Sequence, residues 1–450
     1  MSTEHDLSLE ALSARGVRQI AITWDNHAGE SLVKVVPLRH WQHAVDIGVG
    51  FSPISDAFRS DGIIDPAHRL TRPDGDLRLK AEPASLAMLD PDQGWAWAAG
   101  ERWNRNSGEA YEADQRHFCR RMGDTLHQAG LSLTAGFELE WVVITPDNDG
   151  PKAVIAGGPY GADRLIEGLD YASALLEALD AADVDWLQFH PEYGPSQFEL
   201  SFAAKAPLQA ADQLIRARLV IQRVTRRFGW YSSFSAKPRL DWVGNGGHLH
   251  FSVRDAQGPL LQDGPGPYGL RPEGQALIAG VLEQLPGLVA LASPSPVSYL
   301  RLVPSSWSAP FQVWGMENRE AAVRLIPTTV DQSPAHLEIK AVDPTANPYL
   351  LLGALQAQVL DALRHERSLP EEQSGDPALV KDRTIGRLPS SLVEARTALE
   401  HDEVLLQAMG PLLHGSLLDS LAAEIRNAET KSAEQQANER CWWPIVGGLI

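Results

Sequence analysis

Three short segments of this chain each place two polar side chains on one face of an extended backbone: Glu138-Leu139-Glu140, His248-Leu249-His250 and Glu338-Ile339-Lys340. A fourth, Glu192-Tyr-Gly-Pro-Ser-Gln-Phe-Glu199, holds two more carboxylates across a Gly-Pro turn. Side chains at i and i+2 of a β-strand point the same way. Glu138 and Glu140 are therefore expected on one face, with Phe137, Leu139 and Trp141 against an apolar layer on the other. Gathering so many charges on one concave face is costly unless something neutralises them. Five carboxylates (Glu138, Glu140, Glu192, Glu199 and Glu338) converging with an imidazole are neutralised most simply by divalent cations.

The elements that must position these groups follow from periodicity. Residues 17–24 and 31–36 read as two strands joined by the turn-rich Asp-Asn-His-Ala-Gly connection, a hairpin. A helical stretch at 38–45 and a loop rich in Gly, Ser, Asp and Pro follow. The Trp- and Gly-rich segment 94–106 reads as the link into a second domain. Residues 109–129, 171–182 and 207–228 have helical spacing of apolar residues. Strands and helices alternate up to Pro348, where a helical tail begins, with helices expected at 349–364, 392–400 and 417–428. The fold class is α+β: a small β domain at residues 1–108 and a large mixed domain at 109–450.

Composition narrows the function. At 450 residues, 44% hydrophobic and 22% charged, the chain is that of a globular protein with room for two cores. A net charge of -19 argues against nucleic acid as a partner. Cys119 and Cys441 are too few for a disulfide framework or a zinc cluster and read as reduced structural thiols. The first residues resemble a capped polar helix start and not a targeting segment. The most apolar stretch, 281–300, contains Pro286, Pro294 and Pro296 and is not expected to span a membrane. A cytoplasmic address follows.

The order and spacing of five segments resemble the glutamine synthetase family over nearly the whole chain. They are Gly136-Phe-Glu-Leu-Glu140, Glu192-Tyr-Gly-Pro-Ser-Gln-Phe-Glu199, Gly244-Asn-Gly-Gly-His-Leu-His250, Glu317-Asn-Arg-Glu-Ala-Ala-Val-Arg324 and Glu338-Ile-Lys-Ala-Val-Asp-Pro-Thr-Ala-Asn-Pro-Tyr349. Any one alone is weak, but five in order are specific. The resemblance implies an N-terminal β-grasp domain and a catalytic domain with a curved antiparallel sheet flanked by helices. It also implies a homo-oligomer of stacked rings, a dodecamer, with each site between neighbouring subunits. By motif position, Glu140, Glu192 and Glu199 would hold a metal beside the acid substrate, and Glu138, His248 and Glu338 a metal on the nucleotide phosphates. An oxygen-rich shell of this kind suits Mg²⁺ or Mn²⁺. Arg301, Arg319 and Arg324 would grip the substrate carboxylate and the transferring phosphoryl group, and Arg324, His250 and Ser252 would lie beside ATP. Gly244 and Lys340 would touch the acid substrate.

Departures from the family point to the nucleophile. Members that use ammonia carry an acid after a Phe in the N-terminal loop; here Phe51 is followed by Ser52. They also carry a glutamate shortly after the Arg-Leu-Val-Pro segment; here the sequence is Ser305-Ser306-Trp307-Ser308-Ala309-Pro310. Losing two acids and gaining an indole favours a bulkier amine over NH₄⁺, although Trp307 and Trp314 both also suit plain packing. Lys340 stands where the family has an arginine, which keeps the charge without the bidentate fork. The stretch 381–389 has no Tyr, so control by nucleotidylation is not expected. The resemblance thus implies an ATP-dependent ligase joining the γ-carboxylate of glutamate to a primary amine through an acyl phosphate, with Glu192 as the candidate proton acceptor. An ammonia-using synthetase and an inactive scaffold are the alternatives.

Overall fold

The chain's first apolar alternation, Ile20, Ile22 and Trp24, is buried and forms strand β1 (Gln19–Asp25). β1 pairs antiparallel with β2 (Ser31–Pro37), as the hairpin pattern predicts. The turn between them is closed by Asn26 and Glu30. It sits so near the backbone carbonyl of Thr345 that a Cβ on Gly29 would come within 2.2 Å of that oxygen, and Gly29 has φ +76°. Glycine is required there on both counts. The computed structural model describes residues 7–147, 150–329, 333–381 and 384–444. Residues 382 and 383, in the stretch expected to lack nucleotidylation control, lie outside the described residues, as do residues 1–6 of the expected N-terminal helix start.

The remaining N-terminal strands are β3 (Val49–Phe51), β4 (Leu77–Ala81), β5 (Ala87–Asp90) and β6 (Trp95–Asn104). They form one six-stranded sheet in the order β2-β1-β6-β4-β3, with β5 also on β6. The sheet corrects one expectation: the Trp- and Gly-rich 94–106 segment is no linker. It is the central strand β6, parallel to β1 and antiparallel to β4 and β5, with Trp97 and Ala98 fully buried. A strand covered on both faces has no polar alternation to show. Gly100 is needed there because a Cβ would approach Leu79 Cδ1 at 2.7 Å.

The second sheet holds β7 (Ser132–Asp147), β8 (Gly150–Ala153), β9 (Trp186–Pro191), β10 (Gln197–Phe202), β11 (Tyr231–Ser233), β12 (Leu249–Asp255), β13 (Gly258–Pro259), β14 (Phe311–Met316), β15 (Ala321–Ile326) and β16 (His336–Ile339). Its order is β14-β15-β16-β12-β7-β10-β9, antiparallel except for β14 with β15. Phe137, Leu139 and Trp141 of β7 are all buried on the face away from the glutamates, as the i, i+2 rule requires. Helix Pro207–Arg227 packs on β7, and helices Gln115–Gln128 and Pro348–Arg364 pack with it and with each other.

Three further boundaries differ from expectation. The helix placed at 109–129 starts at Gln115, because the Asp114 carboxylate accepts the His117 backbone N–H at 2.6 Å. The same carboxylate accepts from Arg102 at 2.9 Å, tying the two sheets' regions together. The apolar stretch is not broken at its first proline: helix Pro272–Ala292 runs through Pro286. By length and composition it is apolar enough to cross a membrane, yet most of its surface is buried in this fold against helix Pro348–Arg364. In the tail, helix Leu392–Glu400 matches expectation and Pro411–Ala428 begins earlier than expected, while Glu403–Met409 and Ala433–Arg440 add to them. Both cysteines are free and buried.

Candidate active site

Sheet register, not chain order, assembles the polar face. Across β9, β10 and β7, His190 pairs with Glu199 and Glu199 with Glu140. Across β15, β16 and β12, Arg324 pairs with Glu338 and Glu338 with His250. Like charges directly opposite on a sheet destabilise it, so the Glu199–Glu140 pair needs a counter-charge. The two rows create two groups of possible cation ligands: His190, Glu192 and Glu199, and Glu138, His250 and Glu338. Within each group one donor atom per residue lies within 4.8 Å of the others.

Glu140 and His248 stand between these groups, with His248 Nε2 3.5 Å from Glu140 Oε1 and His248 Nδ1 3.9 Å from Glu338 Oε1. Gly246 keeps the gap open, since a Cβ there would lie 2.5 Å from His248 Nε2 and 2.8 Å from Glu140 Oε1. The donor set is dominated by carboxylate oxygens with a few imidazoles, which fits Mg²⁺ or Mn²⁺.

The electrostatics show what a cation would relieve. Burial, then the nearby Glu140 carboxylate, pushes Glu192 up to about 7. Burial also raises Glu199, with Glu138 and Glu140 adding to it. Glu199 in turn raises His190 to about 9 by accepting from it at 3.2 Å, against the effect of burial. On the other row burial acts upward on Glu338, but Lys340, His248, His250 and Arg324 outweigh it and hold that carboxyl well below its usual range. Glu338 is 1% exposed and accepts from Arg324 Nη1 and Lys340 Nζ, each at 3.0 Å. Glu138 is likewise brought down to about 2 by His250, 3.4 Å away, in spite of burial.

Arg301 is the odd cation. It is 7% exposed, and its Nη1 is buried with no hydrogen-bond partner among the described residues. Burial lowers its pKa even though Glu140 is near. Its side chain lies against Gly244, where a Cβ would meet Arg301 Cγ at 2.7 Å. A buried guanidinium with an unmet N–H is a ready partner for a ligand carboxylate.

The other expected residues are distributed as follows. Ser252 follows His250 on the same face of β12 and bonds Thr134 Oγ1 at 2.9 Å. Arg319 is exposed and stacks over the Trp307 indole, 5.6 Å from its centroid. Trp307 is 59% exposed and so is not part of this chain's core, whereas Trp314 is 2% exposed and donates to Pro370 O at 2.9 Å, which is packing. Ser52 makes no hydrogen bond or ion pair to these carboxylates among the described residues. It follows β3 of the other sheet and caps the turn Pro53–Ala57 by accepting from Ile54 N at 3.4 Å.

Sequence reasoning missed three groups. Gln197 is buried, and its Nε2 lies within 3.0 Å of Glu140 Oε2, Gly244 O and Asn245 Oδ1, so it orients the Glu140 carboxylate. It precedes Glu199 by two residues, and His190 precedes Glu192 by two, so the i, i+2 rule applied further upstream finds both. Tyr160 and Tyr193, both exposed, flank Glu192 with ring centroids 6.4 Å apart; no sequence signal marks Tyr160. The third is Glu320, whose Oε1 accepts the Trp307 backbone N–H at 2.6 Å.

A largely antiparallel sheet carries helices on one face and, on the other, an oxygen-rich, arginine-flanked set of groups that could hold metal ions. The family model described as glutamine synthetase, catalytic domain, matches residues 112–440. The chain belongs to the glutamine synthetase family. It is 40% identical over 428 residues to a γ-glutamylpolyamine synthetase of Streptomyces coelicolor, covering 93% of this chain and 92% of that one. A glutamine synthetase of Thermococcus kodakarensis is 29% identical over 387 residues, covering 83% of this chain and 82% of its own. A solved structure described as a novel glutamine synthase homolog superposes with a TM-score of 0.84 at 27% identity, over 94% of this chain and 98% of that one.

Proposed function

We propose that the protein is an ATP-dependent ligase joining the γ-carboxylate of glutamate to a primary amine, with ammonia a poor nucleophile. The observation that carries the amine is the loop at residues 305–310: it holds an exposed indole, Trp307, and no carboxylate, in the segment where the family resemblance places a glutamate in ammonia-using members. The likeness to a γ-glutamylpolyamine synthetase supports the same reading.

In this reading Arg301 holds the acid substrate's carboxylate beside Gly244 and Lys340. Arg324 and Arg319 offset charge on the transferring phosphoryl group, and His250 and Ser252 lie beside the nucleotide. Glu140, Glu192 and Glu199 hold one divalent cation, with His190 contributing or orienting, and Glu138, His248 and Glu338 hold another, with His250 adjacent. Bound there, the cations neutralise charge on the phosphate oxygens. The γ-phosphoryl group passes from ATP to a γ-carboxylate oxygen, releasing ADP. The amine nitrogen then attacks the acyl carbon, the acyl–oxygen bond to phosphate breaks, and the amine proton passes to Glu192. The arrangement contributes chiefly by positioning.

The division at residues 108 and 109, a homo-oligomer of stacked rings, and a cytoplasmic setting belong to the same proposal. The change of sheet between Asn104 and Ser132 supports the division. The open side of Ser52 supports a neighbour completing the site. Phosphate release with glutamate, ATP, Mg²⁺ and a panel of amines tests the function. A primary amine should outperform ammonia. Ammonia as the best nucleophile supports an ordinary synthetase, and no release with any amine supports an inactive scaffold.

A further inference from the structure

The loop that carries Trp307 has a strained backbone. Ser305, Trp307 and Ala309 adopt φ of +55°, +56° and +57°, the left-handed region that residues with side chains enter at a cost of about 1 kcal/mol or more each. None of the three is glycine, so contacts must hold the loop. Two carboxylates provide them. Asp376 Oδ2 accepts from Ser305 Oγ at 2.7 Å, and Glu320 Oε1 accepts from Trp307 N at 2.6 Å. Ser308 Oγ closes the loop internally on Val303 O at 3.1 Å.

Glu320 is 5% exposed, and its second oxygen is buried with no partner among the described residues. Its neighbour Arg319 lies over the indole ring. Two adjacent residues of one turn therefore hold one tryptophan, Glu320 by its backbone and Arg319 by its ring. Strain of this kind persists where the surroundings over-determine a shape. Trp307 buries little surface that would otherwise justify it.

We propose that Glu320 is a positioning residue for the amine step, holding the loop in its shape, with Ser305, Trp307 and Ala309 left-handed, so that the Trp307 indole forms the amine-side wall. The inference rests on the amine-ligase reading and deepens it: the substrate class such a wall takes is a primary amine with an alkyl chain, since each methylene placed against it gains apolar burial. Glu320 acts through Trp307 and touches no reacting atom.

The test uses the full chain and three variants. Glu320→Ala removes the acceptor, Glu320→Asp keeps the charge but shortens the reach, and Glu320→Gln keeps an acceptor oxygen without the charge. Hydrogen exchange at the Trp307 amide should rise at least tenfold in Glu320→Ala and Glu320→Asp, with exchange in β12 unchanged, and return close to wild type in Glu320→Gln. With the preferred amine, KM should rise about tenfold in the first two variants with KM for ATP unchanged, and Glu320→Gln should rescue it. Should Glu320→Ala fail to fold, Glu320→Asp delivers the same comparison. Unchanged Trp307 exchange in Glu320→Asp, or Glu320→Gln behaving like Glu320→Ala, overturns the proposal. Wild-type protein that accepts no alkyl amine overturns the ligase reading, while the exchange data still decide the loop contact separately.

Discussion

Replacing Arg301 with methionine should raise or preserve stability while removing the grip on the acid substrate. The guanidinium is buried, its Nη1 is unpaired, and burial already lowers its pKa. An unmet buried donor costs about 1–3 kcal/mol, more when charged, and methionine fills similar volume without it. Against this, Glu140, Asp343 and Glu338 lose a favourable neighbour, but Glu140 keeps Gln197 Nε2 at 3.0 Å, the Gly246 N–H at 2.8 Å and His248 at 3.5 Å, Asp343 keeps the Thr345 N–H at 2.9 Å, and Glu338 keeps Arg324 and Lys340 at 3.0 Å. The net expectation is a gain of about 0–2 kcal/mol. A charge-assisted bond to a ligand carboxylate contributes about 1.5–3 kcal/mol, and about 1.4 kcal/mol is tenfold in affinity, so KM for glutamate should rise about 10–100-fold. Denaturant unfolding and steady-state kinetics give the two numbers. Thermal protection by glutamate should fall with the affinity. A variant destabilised by more than about 1 kcal/mol with unchanged KM for glutamate would show that Arg301 is a structural residue and refute the reasoning.

Glu138→Ala and Glu338→Ala should abolish turnover and weaken Mn²⁺ binding measured by calorimetry, since each removes one donor from a charge-dense group; near-normal activity at moderate Mg²⁺ removes the cation-site argument. Trp307→Ala should raise KM for the preferred amine more than for ATP or glutamate, and Ser52→Asp should improve ammonia relative to larger amines; a uniform fall across the amine panel with the ranking unchanged places selectivity elsewhere. Glu30 is buried, which raises its carboxyl from about 4.5 to about 7. Its contribution to stability is therefore full below pH 4.5 and lost as pH rises through 7. Since a tenfold change in proton affinity is worth about 1.4 kcal/mol, Glu30→Gln should be more stable than wild type at pH 8 by up to about 3 kcal/mol and nearly equal at pH 4.5. Equal differences at both pH values, in chemical denaturation curves, would contradict the assignment.

The chain's own pattern determined the chemistry of the site. Strand geometry sends residues i and i+2 to one face, so Glu138 and Glu140 could be paired, and Leu139 turned inward, from three letters of sequence. Alternation also identified the hairpin at β1 and β2 and the long helices, because local periodicity reflects burial of one face. The same logic failed for β6, whose Trp-Ala-Gly run is buried on both faces, and for Pro286, which a helix packed on all sides tolerates.

Only the tertiary structure decided which groups share a site. Placing Glu199 opposite Glu140, and His250 opposite Glu338, depends on the register of strands far apart in sequence, set by core packing on the opposite face. The unmet Nη1 of Arg301 among the described residues and the exposure of Trp307 are likewise properties of the packed whole, since a residue's type states what it can bond and not what remains beside it once the chain has folded. The hold of Glu320 on Trp307 spans thirteen residues and a turn between strands, a contact made between one backbone N–H and one carboxylate that no periodicity encodes.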